Sequence, residues 1–170
     1  MKTWITILIC SLSVSLLHAS NLLVIRDLYE HAAINEDKAK QLLKLTENAN
    51  ETNAVLLGYQ GAGYMTLANH SMLPTTKLAY FQKGKKILEM ALKTAPNNLE
   101  LHYIRLTIQL NIPSFLGYSN QIKLDKKILL QHIKTNPLSA TFDLEKRIIA
   151  FLLSSKQCTK EELSMHNKHE

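Results

Sequence analysis

The chain has 170 residues, is 46% hydrophobic, carries a formal net charge of +6, and contains only five glycines and four prolines. This composition excludes a disordered or low-complexity chain, and the length suits one domain with a real hydrophobic core. The positive balance comes without an arginine cluster or an aromatic-basic pattern, so nucleic acid is not an expected partner.

Lys2 is followed by an apolar run from Trp4 to Leu17, and Leu17-His18-Ala19 places a small residue before Ser20. That order of charge, apolar core and small residue is what a secretory signal peptide requires, so residues 1–19 are read as one and the protein as exported, to a periplasm or the extracellular space. An uncleaved membrane anchor is the alternative, because no charge appears between Lys2 and Arg26. The serines within the run, with His18 and Asn21, make a poor lipid-facing helix. A helical domain over 20–157 and a tail over 158–170 follow. Cys10 leaves with the signal, and Cys158 alone cannot form an internal disulfide.

Leu22, Ile25, Leu28 and Tyr29 recur at three- and four-residue spacing, which predicts a helix over 21–33. Asn35 is a candidate cap for a helix over 36–48 with Ala39, Leu42, Leu43 and Thr46 inward. Further helices are expected over 52–69, 76–95, 99–110, 122–135 and 141–154, with a short one from Thr159, where Glu162 completes a capping box. Pro74, Pro96, Pro113 and Pro137 all fall between these segments, where a missing N–H costs least. No stretch alternates with period two, so the class is all-α, with about seven helices.

Residues 85–98 (KKILEMALKTAPNN) and 126–139 (KKILLQHIKTNPLS) share seven of fourteen positions at an offset of 41. Both describe an amphipathic helix that ends in a basic residue and stops at a proline, and repeats of this length are the units of stacked helical hairpins. Leu57-Gly58, Gly84, Leu88, Ala91-Leu92 and Pro96 resemble the tetratricopeptide repeat family, although 84 − 58 = 26 residues separate the two glycines, more than the family's spacing. The resemblance covers about residues 53–137. It implies an α-solenoid of antiparallel hairpins that contacts a protein or peptide, holds no cofactor and catalyses nothing. First helices line the groove in that family, which nominates Tyr59, Tyr103, Thr107 and Asn111 as partner-binding residues.

The segment from Ile112 to Tyr118 is apolar and aromatic but carries Pro113 and Gly117. Such a loop either folds back over the core or presents aromatic anchors, which adds Phe115 and Tyr118 to the partner-binding candidates. His102, Arg105 and Gln109 form a polar stripe on an otherwise apolar helix. An exposed ligand-binding Arg105 and a buried Arg105 paired with an acid such as Asp125 both fit, and buried pairing is the commoner arrangement. A small-ligand binder or enzyme built on His102, Arg105 and Asp125 is therefore the alternative function. Gly58, Gly61 and Gly63 lie in a helical pattern with no preceding strand, so helix packing accounts for them better than a phosphate loop. His166 and His169 lack the additional ligands a metal site needs, and no catalytic motif is found. Asn50-Glu51-Thr52 and Asn69-His70-Ser71 are sequons whose use depends on the secretory route.

Overall fold

The computed structural model describes residues 21–135 and 142–159. Within them all regular structure is helical: α1 over 21–32, α2 (Glu36–Leu45), α3 (Ala54–His70), α4 (Pro74–Thr94), α5 (Leu99–Asn111), α6 (Ile122–Thr135) and α7 (Phe142–Ser154). Short 3-10 turns occupy Glu51–Asn53 and Ser114–Leu116. The expected signal peptide, Pro137, His166, His169 and the helix expected from Thr159 lie outside the described residues.

Local chemistry explains the boundaries. The Asn35 side chain accepts from the Lys38 N–H, and the Asn98 side chain accepts from the Leu101 N–H, so each caps the first turn of its helix. Helix α2 stops three residues earlier than its apolar spacing suggests. The Thr46 hydroxyl and N–H both turn back on the Leu42 and Leu43 carbonyls there. Pro74 is not a linker residue but the first residue of α4, where its missing N–H has no helical partner to lose.

The chain forms two compact units. The first holds residues 21–50 with 59–87, and the second holds 51–58 with 88–159, so α3 and α4 each contribute to both. In the first unit the later part of α3 is the hub. Tyr59 meets Tyr29 of α1 edge-on at 5.5 Å between ring centres. A Cβ at Gly63 would lie 2.9 Å from Leu43 of α2, and one at Gly84 of α4 would fall on the Gly61 carbonyl and Met65 of α3. Tyr64 and Tyr80 pair along the same line, so α3 and α4 run antiparallel there. The Gln60 side chain donates to the Thr46 carbonyl at 2.7 Å, and His70 bonds the Ala32 carbonyl at 2.7 Å, which fixes the ends of the unit.

In the second unit α5 takes the central place. It packs against α6 and α7, and Gly58 lets α3 approach Leu101, Ile104 and Leu88. Its residues Glu100 to Gln109 are all buried. Tyr103, Leu106, Leu129, Leu144, Ile148 and Leu152 form the core together with Cys158, a residue expected to begin a tail. A reversal after α7 brings that cysteine inward. Lys156 has φ +57°, its N–H bonds the Leu153 carbonyl, and the Gln157 N–H bonds the Leu152 carbonyl, the pattern of a Schellman cap.

The contact at Gly84 gives a direct test of the α3–α4 packing. Alanine there would gain up to about 1 kcal/mol of helix propensity but must displace backbone atoms of α3. Gly84→Ala is expected to lower stability by about 1–3 kcal/mol net in urea unfolding. A stabilised variant would contradict the close approach.

Candidate functional site

Helix α5 carries an unusual load for a buried element: Glu100, His102, Arg105, Thr107 and Gln109 are all withdrawn from water. A buried charge is tolerable only when paired and hydrogen-bonded, so Arg105 needs partners inside, and His102 shares one of them. Asp125, in the first turn of α6 and fully buried, is the common partner. Arg105 grips it in a two-pronged pair, Nε to Oδ2 at 2.8 Å and a terminal nitrogen to Oδ1 at 2.7 Å. His102 Nδ1 lies 2.7 Å from the same Oδ1, and its Nε2 lies 2.8 Å from the Pro96 carbonyl in the α4–α5 connection. Both ring nitrogens thus face oxygen atoms.

The network extends to α4 and to the α5–α6 connection. The remaining Arg105 terminal nitrogen reaches Glu89 at 3.4 Å, and the Tyr118 hydroxyl donates to the other Glu89 oxygen. Burial alone would pull the Arg105 guanidinium down, but hydrogen bonds and charge from Asp125, with Glu89 beyond, outweigh it and hold it above its ordinary value. Burial, and then the bond to Glu89, push the Tyr118 phenol well above its ordinary value, so it stays a donor. One turn further along α5 the Gln109 amide is buried, and neither its oxygen nor its nitrogen bonds a described residue.

His102, Arg105 and Asp125 are therefore brought together, as buried pairing requires. The cluster is closed: the Asp125 oxygens and both His102 nitrogens already face protein partners. A catalytic acid or base needs a proton route to a substrate, and a binding arginine needs a free donor edge. This geometry makes the cluster a polar clasp between α4, α5, α6 and the connection that carries Tyr118.

The six residues nominated for partner contact divide. Tyr59 is 1% exposed against Tyr29, and Tyr103 packs edge-on against Phe151 at 5.8 Å. Thr107 is buried and donates to the Ile104 carbonyl. Tyr118 is buried with its hydroxyl on Glu89. These four side chains face the interior, because neighbouring helices close around α5 and the later part of α3 and leave them no groove to line. Asn111, at the exposed end of α5, donates to the Thr107 carbonyl. Phe115 is 83% exposed on the Ser114–Leu116 turn, which Gly117 closes in the left-handed region at φ +61°. The 112–118 loop thus does both things its composition allows: Tyr118 folds in and Phe115 points out.

Residues outside that list also take part. Glu89 joins the clasp from α4, and the carbonyl of Pro96 holds His102; the only signal for them was an acid and a proline near the helix end that precedes α5. Gly58, Gly61 and Gly63 lie within α3, not in a phosphate loop. No group of three or more His, Cys, Asp or Glu side chains that could hold a metal ion occurs among the described residues.

Comparison with known proteins is silent. No family model, curated protein or solved structure matches the chain.

The clasp predicts a structural phenotype. Arg105→Ala leaves Asp125 buried without its guanidinium partner and is expected to cost about 3–5 kcal/mol or to prevent folding, read by urea unfolding and far-UV circular dichroism. A variant of unchanged stability would contradict the clasp.

Proposed function

We propose that the chain is an exported, non-catalytic interaction module built on helical hairpins similar to tetratricopeptide repeats, and that it engages a protein or peptide partner through the Phe115 loop. The carrying observation is the contrast within one short connection: Tyr118 is locked to Glu89 while Phe115, three residues earlier, stands 83% exposed. A large aromatic held out on a turn braced by Pro113 and Gly117 is a preformed anchor that loses little entropy on binding. The exposed Asn111 at the end of α5 supplies a polar neighbour in the chain.

Several features support the hairpin reading. Gly61 and Gly84 sit at the close approach of the antiparallel pair α3–α4. Helices α4 and α6 end at Thr94 and Thr135, and 135 − 94 = 41 is the offset of the sequence repeat. Leu88 and Leu129, equivalent in that repeat, are both fully buried. The export reading rests on the composition of residues 1–19. The non-catalytic reading is supported by the closure of the His102–Arg105–Asp125 clasp.

The test is capture of partners from the native host by cross-linking, with wild type and Phe115→Ala compared by mass spectrometry. An anchor of this kind contributes about 1–2 kcal/mol, so capture of the main partner should fall about tenfold while the melting temperature holds. Equal capture by the variant would remove Phe115 from the interface.

A further inference from the structure

Helix α6 carries four lysines, Lys123, Lys126, Lys127 and Lys134, and one acid, Asp125. The helix buries Asp125 and Leu129, packs the half-buried Leu130 against the core, and sets Lys123, Lys127 and Lys134 at spacings of four and seven residues that draw one line along its surface. Lys126 flanks the line. At a 1.5 Å rise per residue the row runs for about 16 Å. These side chains line a shallow groove of about 590 Å³.

Among the described residues no carboxylate compensates the row. Asp125 is the only acid of α6, and it is fully buried and committed to Arg105 and His102. None of the four lysines pairs with a carboxylate among the described residues, whereas Lys40 is matched by Glu36, Arg147 by Asp143 and Arg105 by Asp125. Other lysine-rich stretches behave differently: those of α4 are scattered around the helix, and Lys83 lies over the Tyr64 ring.

We propose that this face of α6 is a docking surface for an anionic lipid bilayer. The choice of residue decides the occupant. Lysine is a hydrated point charge on a flexible stem and responds to charge density, while specific carboxylate or nucleic-acid recognition favours the planar fork of arginine, which is missing from this face. A straight row of ammonium groups meets a plane of lipid phosphates without needing a shaped partner. No described helix is long and apolar enough to cross a membrane, so the contact is peripheral. The surface is independent of the Phe115 loop and of the partner proposed for it.

The test is co-sedimentation of the full chain with phosphatidylcholine vesicles, with and without about one-third phosphatidylglycerol. The expected result is binding that needs phosphatidylglycerol, weakens steeply with salt, and falls at least tenfold in the triple variant Lys123→Ala, Lys127→Ala, Lys134→Ala. Lys123 and Lys127 are exposed and Lys134 is half-buried, and an unchanged far-UV spectrum verifies that the variant folds. The matched control, Lys38→Ala, Lys44→Ala, Lys77→Ala, removes the same charge elsewhere and should retain most of the binding. Equal loss in both triples would overturn the proposal, because net charge and not the α6 face would then be responsible. So would equal binding to pure phosphatidylcholine, or binding of an acidic peptide such as poly-glutamate through these lysines with no binding to the anionic vesicles.

Discussion

One buried carboxylate constrains the second unit of this protein. Asp125 has no access to water, so the helices around it must deliver partners to it, and the Arg105 guanidinium and the His102 ring of α5 do so from successive turns. Because Arg105 also reaches Glu89, and Glu89 takes the Tyr118 hydroxyl, the same charge sets the position of the end of α4 and of the α5–α6 connection. Apolar packing is indifferent to small slides between helices; a two-pronged ion pair is not. The clasp is thus a device for fixing register, laid over a core of Leu106, Leu129, Ile148 and Leu152 that supplies the hydrophobic drive.

In the first unit close helix approach is prominent. Gly61, Gly63 and Gly84 remove side chains where α3 meets its neighbours, so the helices approach until backbone and side chain touch. Polar ties include the bonds of Gln60 to Thr46 and His70 to Ala32. Close packing in this unit and ionic matching in the other are two solutions to one problem, which is how amphipathic helices with interchangeable leucines select a single arrangement.

Helix positions were legible in the sequence because they depend on local signals. Apolar spacing, the caps at Asn35 and Asn98 and the prolines beyond helix ends each act within a few residues, and α6 and α7 fall almost where that spacing puts them. The burial of α5 on all sides was not legible. Half of its buried residues are polar, a pattern that reads as a half-solvated helix, and its burial depends on Asp125 and Glu89, which lie 20 and 16 residues from Arg105. The same distance effect misassigned Tyr103 and Tyr118, since nothing near them in the chain reveals Phe151 or Glu89. Phe115 and Tyr118 share a composition and a loop, and only a carboxylate 29 residues away from the tyrosine separates their fates.

The central claim, that Asp125 and Arg105 form a structural unit closed to solvent, is tested most directly by a double-mutant cycle. Arg105→Met, Asp125→Leu and the pair together would be compared with wild type by urea unfolding at neutral pH. The account predicts that each single change is severely destabilising and that the double variant recovers much of the loss, with a coupling energy of about 2–3 kcal/mol. Additivity within about 0.5 kcal/mol would contradict it, because the two side chains would then be acting independently and the clasp would not hold the fold.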